Sequence, residues 1–201
     1  GALLTMRARM FLLGDPPDYA PAPSTSLAAR AAAAGVTPAE LAYDLFAAGD
    51  GGGLLYTPFL NYADGDLDAV GEMLAHRWTI PGLSDGGAHV GTICDGSFPT
   101  TLLATWVRDR DRGRLPLADV VRRQCRETAR SVGLLDRGVL APGYRADINL
   151  VDLDAVQPRR PEPVWDLPAG GRRLLQRADG YLQTFVLGQE TYVGGEATGA
   201  L

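Results

Sequence analysis

Apolar residues recur at helical spacing along the first two thirds of the chain and at strand spacing after it. Leu27 to Ala34 is an alanine-rich run that reads as a helix ended by Gly35. Thr37-Pro38-Ala39-Glu40 has the residues of a capping box, with proline at the first helical position. It opens a helix that carries Leu41, Leu45 and Phe46 and stops before Gly49. Asp50 to Gly53 reads as a turn, and Leu54-Leu55-Tyr56 as a short buried strand running into Thr57-Pro58. Asp66 is placed to cap a helix whose Leu67, Val70 and Leu74 share one face. Thr79 to Ser84 is the next strand candidate, weakened by Pro81 and Gly82. Strand, helix, strand at these short steps is the order of a βαβ unit with parallel strands.

Further helices are predicted over Thr100–Arg108 and from Pro116 to Gly133, the second with Leu117, Val120, Val121, Gln124, Cys125 and Thr128 on one side. The stretch 14–25 is rich in Pro, Asp and Ser and cannot hold a helix, because prolines remove donors and constrain their predecessors. After Gly133 the texture changes. Ala146 to Leu153 alternates Asp and Asn with Ile, Leu and Val, a half-buried strand pattern. Residues 157–171, rich in Pro, Arg and Gly, read as a long connection. Tyr181 to Val186 and Gln189 to Val193 flank Leu187-Gly188 and predict an antiparallel hairpin. The expected division is an α/β part, residues 1–135, and a small β part, residues 136–201.

Composition narrows the class. A chain of 201 residues with 46% hydrophobic and 21% charged residues can bury a real core. The net charge of -5 offers no basic footprint for nucleic acid. No apolar run approaches the ~20 residues of a membrane span. Cys94 and Cys125 are the only cysteines, which reads as reduced thiols and a cytoplasmic setting. The alternating block Arg108 to Arg114 reads as a solvated helix end rather than a phosphate site.

The candidate chemistry centres on Leu83-Ser84-Asp85-Gly86-Gly87-Ala88-His89, a strand-like run ending on an acid. An aspartate at the C-terminal end of a parallel strand sits where such folds place their reactive groups. Gly86 and Gly87 remove side-chain bulk, so a substrate or water can approach the backbone closely. A hydrolase needs a carboxylate that takes a proton from the attacking water and passes it to the leaving group, and Asp85 suits that role. Against this stands plain turn chemistry, for which Asp-Gly is common.

His89 can face the same cavity and hydrogen-bond substrate, or be a packed or surface imidazole. Asn61 and Tyr62 follow the earlier strand at its C-terminal end and can line the same pocket, or serve only loop packing. His76 is placed at a helix C-terminus, where a cation is favoured. Cys94 would need an activating base to act as nucleophile, and His89 is the one histidine near it in sequence. Zinc wants three or four ligands, and two histidines with two separated cysteines do not supply them.

Three blocks resemble the amidohydrolases, and most closely the N-acyl-D-amino-acid deacylases. They are Leu83 to His89, Gly96-Ser97-Phe98-Pro99, and Gly138-Val139-Leu140-Ala141-Pro142-Gly143-Tyr144-Arg145-Ala146-Asp147-Ile148. The resemblance implies a (β/α)8 barrel with a small β-sandwich, and one or two zinc ions held by residues of earlier strands. It makes Asp85 the aspartate that touches the metal site and works as general base, then general acid. It matches His89 to a histidine of the following loop. The substrate implied is an N-acyl-D-amino acid.

A full barrel takes about 250 residues, and the family's His-x-His motif is absent here. The chain is therefore expected to be the C-terminal portion only: the last barrel units plus part of the β-sandwich. On that view the missing N-terminal part of the same protein is its partner, the other metal ligands lie outside the chain, and the piece alone is inactive. Uncovered strand edges would favour a homo-oligomer. One departure stands out: Gly87 to Pro99 holds no arginine to grip a substrate carboxylate, as many such enzymes have there. That absence motivates cyclic-amide hydrolysis or deamination as an alternative. The missing ligands motivate a non-catalytic interaction module.

Overall fold

Local capping signals set the first helices. A computed structural model of the protein describes residues 9–48, 53–62, 64–82 and 89–200. Helix α1, Leu27–Ala34, starts where the Ser26 hydroxyl accepts from the Ala29 N–H, and ends on Gly35 at a φ of 71°. Helix α2, Pro38–Ala47, opens with the complete capping box. The Glu40 N–H donates to the Thr37 hydroxyl, and the Thr37 N–H donates to the Glu40 carboxylate. Helix α3, Asp68–Ala75, starts beside Asp66, whose carboxylate accepts from the Asp68 N–H at 2.9 Å.

The chain divides into two units, Gly1–Met73 and Leu74–Leu201. In the first, β1 (Phe11–Leu12) pairs antiparallel with β2 (Leu55–Tyr56), Phe11 opposite Tyr56. Phe11, Leu27, Ala31 and Tyr62 form its buried centre. The parallel βαβ arrangement expected from the sequence is corrected here. β2 pairs with a strand far upstream, and every strand pair among the described residues is antiparallel. Thr79 to Gly82 is not a strand, consistent with Pro81 lacking a donor. Leu83, Ser84 and the proposed turn at Asp50 to Gly52 lie outside the described residues.

The second unit carries helices and then strands. Helix α4, Phe98–Thr101, continues as a π-helical stretch over Leu102–Asp109 that buries Leu102, Leu103, Ala104 and Trp106. Helix α5, Leu117–Arg122, runs through the π-helical turn Arg123–Glu127 into α6, Thr128–Ser131. This is the long helix predicted between Pro116 and Gly133, and its two buried residues are Val120 and Ala129.

The β portion contains β3 (Ile148–Val151), β4 (Gln157–Pro158), β5 (Glu162–Leu167), β6 (Gly171–Leu175), β7 (Ala178–Asp179), β8 (Tyr181–Val186), β9 (Gln189–Val193) and β10 (Glu196–Ala197). They form a four-stranded sheet in the order β10-β9-β8-β3 and the pairs β4-β7 and β5-β6. The predicted hairpin is β8-β9. Leu187 and Gly188 have φ of 51° and 78°, the double positive φ that matches the twist of a two-residue hairpin turn. Residues 157–171 are not a plain connection: they contain β4 and β5, and β5 folds back on β6. The result is a mixed α/β fold with several small antiparallel sheets.

Two arginines tie the second unit together. Arg108 Nη1 donates to the carbonyls of Leu153, Asp154 and Val156 at 2.7–3.0 Å, and Nη2 donates to Gln157 Oε1. Arg123 donates to the carbonyls of Leu74, Ala75, His76 and Thr79 at 2.8–3.2 Å. Leu74 and Ala75 end α3 and His76 and Thr79 follow it, and a guanidinium fork satisfies several such carbonyls at once.

Candidate functional site

Asp85 lies within 83–88, outside the described residues. The structure resumes at His89, which is exposed and adopts a φ of 53°. Histidine tolerates this left-handed region better than most side chains. The conformation turns the His89 carbonyl onto the Thr92 N–H at 2.8 Å, the Ile93 N–H at 2.9 Å and the Thr92 hydroxyl at 3.1 Å. His89 therefore opens a tight turn that fixes its own backbone and leaves the residue exposed.

The loop that follows is pinned to β6 by two bonds. The Leu174 N–H donates to the Val90 carbonyl at 2.7 Å, and Arg172 Nη2 donates to the Gly91 carbonyl at 2.9 Å. The Phe98-Pro99 block is held in turn: Gln124 donates to the Pro99 carbonyl, and the Thr100 and Tyr181 hydroxyls lie 3.0 Å apart.

Between this loop and the β6–β7 segment lies a cavity of about 290 Å³. That is the low end of the range for small-molecule sites. Val90, Ile93 and Leu174 give it apolar walls, while Cys94, Arg173 and Arg177 give it polar ones. Burial pushes the Cys94 thiol up and Asp95 adds to the effect, against a smaller opposing pull from Arg173. A thiol held protonated in this way is a poor nucleophile. The Arg173 guanidinium makes two bonds to Asp166, at 2.7 and 2.6 Å, and holds that carboxyl below its usual range.

Asn61 and Tyr62 belong to the first unit, His89 to the second. Asn61 is exposed with a φ of 62°. Tyr62 is 2% exposed. Its hydroxyl donates to the Pro21 carbonyl, and its ring meets Phe11 edge-on at 6.0 Å. Burial is the main cause that raises the Tyr62 phenol, with Asp18 and Asp66 adding to it. The polar end of Tyr62 is thus spent on backbone inside its own unit. His76 follows the end of α3, where its ring Nδ1 accepts from the Trp78 N–H at 3.4 Å.

Sequence reasoning passed over Arg172, Arg173 and Arg177. Their signal was the spacing of Asp166 from Arg173 across a Pro-Ala-Gly-Gly turn, a cross-strand charge pair that becomes visible only once β5 and β6 are read as a hairpin.

Among the described residues no three His, Cys, Asp or Glu side chains converge as a metal site. The described donor set alone does not compose a zinc centre. Both cysteines are free.

Comparison with known proteins gives one family. The amidohydrolase family model matches residues 11–196, while no curated protein and no solved structure matches. This corrects the expectation that the likeness covers a C-terminal portion only, and with it the missing N-terminal part as partner. The resemblance had rested on blocks downstream of Leu83. The match instead starts at Phe11, the first residue of β1, and takes in the packed first unit as well as the second. Spanning nearly all of both units, that match assigns this chain to the amidohydrolase family, hydrolases acting on carbon–nitrogen bonds.

Proposed function

We propose that the protein hydrolyses the amide bond of N-acyl-D-amino acids, with Asp85 as its general base and acid. The observation that carries this reading is the block Ser84-Asp85-Gly86-Gly87-Ala88-His89 inside the family match, followed by a loop pinned beside a small cavity. Asp85 takes a proton from the attacking water as oxygen bonds to the amide carbon. It returns that proton to the nitrogen as the carbon–nitrogen bond breaks, so one carboxylate serves both steps. His89 is assigned to hydrogen-bond the substrate from the solvent side. Residues 1–135 are read as the α/β part and 136–201 as the small β domain.

Zinc belongs to this proposal through the resemblance, which puts Asp85 beside it; the proton steps above run on the carboxylate itself. Cyclic-amide hydrolysis is the second reading, favoured by the absence of arginine from Gly87 to Pro99.

The test is release of free amine from N-acetyl-D-amino acids by the protein and its Asp85→Asn variant, assayed with zinc supplied. The variant is expected to lose about 10²- to 10⁴-fold in turnover. Unchanged turnover in Asp85→Asn would refute the assignment. Ring opening of cyclic amides without deacylation would select the second reading.

A further inference from the structure

We propose that Arg123 is a positioning residue for the reaction: it clamps the backbone that leads into the Asp85 block and so sets the position of the general base. The role given to Asp85 rests on the deacylase reading; the clamp itself does not.

The clamp is made of charge-assisted bonds. Arg123 Nη1 donates to the carbonyls of Leu74, His76 and Thr79 at 2.8–2.9 Å, and Nη2 donates to the carbonyl of Ala75 at 3.2 Å. A cationic donor makes each bond stronger than a neutral one would be. The acceptors run from the end of α3 to Thr79, so the path of that whole stretch is fixed from one side chain. The side chain is itself held. Arg123 is half-buried, and with Leu74, Pro81, Leu102, Leu115 and Val120 it lines a hollow of only about 10 Å³, room for about one water. Packing this tight leaves the guanidinium little freedom. Through Pro81 the packed stretch reaches to four positions before Asp85.

The far side of the block is fastened as well. The Val90 carbonyl accepts from the Leu174 N–H at 2.7 Å, and the Gly91 carbonyl accepts from Arg172 at 2.9 Å. Thr79 stands six positions before Asp85 and Val90 five after it. A segment held at both ends samples far fewer conformations than one held at a single end. The neighbour of Arg123 serves a second block: Gln124 donates to the Pro99 carbonyl at 3.1 Å. One helical turn thus secures both the approach to Asp85 and the Phe98-Pro99 block. The four bonds of Arg123 all end on backbone, so its effect on the reaction passes through placement. Arg108 supplies the comparison. Its guanidinium makes the same kind of clamp on Leu153, Asp154 and Val156, a stretch that carries no candidate chemistry.

The test sets Arg123→Met against Arg108→Met in the full chain, with zinc supplied and N-acetyl-D-leucine as substrate. Rates are referred to the folded fraction, read by urea unfolding. Arg123→Met should lower kcat about 10- to 100-fold and leave KM within about twofold. Arg108→Met should leave the kcat of the folded protein within about twofold. In an Asp85→Asn background Arg123→Met should cost nothing further, because the base it positions is gone. An unchanged kcat in Arg123→Met, an equal fall in both arginine variants, or losses that multiply in the double variant would each overturn the proposal. Should Arg123→Met fail to fold, Arg123→Lys is read in its place, since an ammonium keeps the charge and lacks the fork. Absence of turnover, or turnover that survives Asp85→Asn, sinks the deacylase reading instead. Hydrogen exchange then judges the clamp alone. Amides from Ile80 to Ile93 should exchange at least about tenfold faster in Arg123→Met and not in Arg108→Met. Exchange unchanged there would overturn the clamp.

Discussion

In the first unit the helix ends are satisfied from within three residues: Ser26 caps α1, and Thr37 with Glu40 caps α2. In the second unit it is backbone carbonyls that are satisfied at long range, by Arg108 and Arg123 from 44 to 49 residues away. The contrast has a physical origin. A hydroxyl one turn away orders little chain beyond the helix it starts, so it stabilises that helix alone. An arginine that reaches across a fold holds two segments in register, and its loss exposes several carbonyls together. The first unit is thus built from separable local devices around a small aromatic centre. The second depends on long-range contacts that fail as a group.

The comparison breaks most sharply at Gly180. It adopts a φ of 84°, and a Cβ there would lie 2.4 Å from the Val156 Cα. Backbone cannot yield as a side-chain tip can. Gly180→Ala should therefore destabilise the protein by at least ~3 kcal/mol, read by urea unfolding. A loss under 1 kcal/mol would mean that the two segments part easily and that the second unit is not held as a group.

Arg108→Met comes next. It keeps much of the stem and removes the guanidinium that Leu153, Asp154 and Val156 share. An expected loss of about 2–3 kcal/mol follows from two part-buried carbonyls and one exposed carbonyl losing a charged donor. Thr37→Ala tests the opposite case. It removes one exposed capping box at an expected cost of about 1 kcal/mol. Hydrogen exchange should show the change confined to α2 rather than spread through either unit. Protection lost in β8 as well would erase the distinction drawn here.

The smallest effect concerns acid. The Leu187 N–H bonded to Asp147, followed by Arg145 and Arg137, holds the Asp147 carboxyl below its usual range. A depressed folded-state value means the contribution is complete above the unfolded carboxylate range. It fades as pH falls through the folded value, below about pH 4. Asp147→Asn should flatten that part of the acid limb in a stability–pH curve by lowering the neutral region, with the two curves converging in acid. An unchanged acid limb would show that the bond does not anchor the hairpin turn.

The cavity residues show why part of the candidate site was legible and part was not. Asp85 and His89 stand out in the sequence because glycine, acid and histidine fall within a few consecutive positions. Arg173 and Arg177 are two among many arginines until β6 is placed against the Val90 carbonyl. Tyr62 shows the reverse. Its position after a strand suggested a pocket, while packing against Phe11 and a bond to Pro21 turn it inward.

The amino-acid sequence by itself determined the elements whose causes are local. These are the caps at Ser26 and Thr37, the stop at Gly35, the long helix from Leu117 to Ser131, and the hairpin turn at Leu187-Gly188. Each depends on hydrogen bonds or dihedral preferences that span a few residues. Tertiary structure decided which strands pair and in what direction. Phe11 finds Tyr56 rather than a parallel neighbour, and β5 folds onto β6 through a stretch whose prolines and glycines suggested a mere connection. A strand's unpaired N–H and C=O groups are satisfied equally well by many partners, so the choice rests on what packing elsewhere brings within reach.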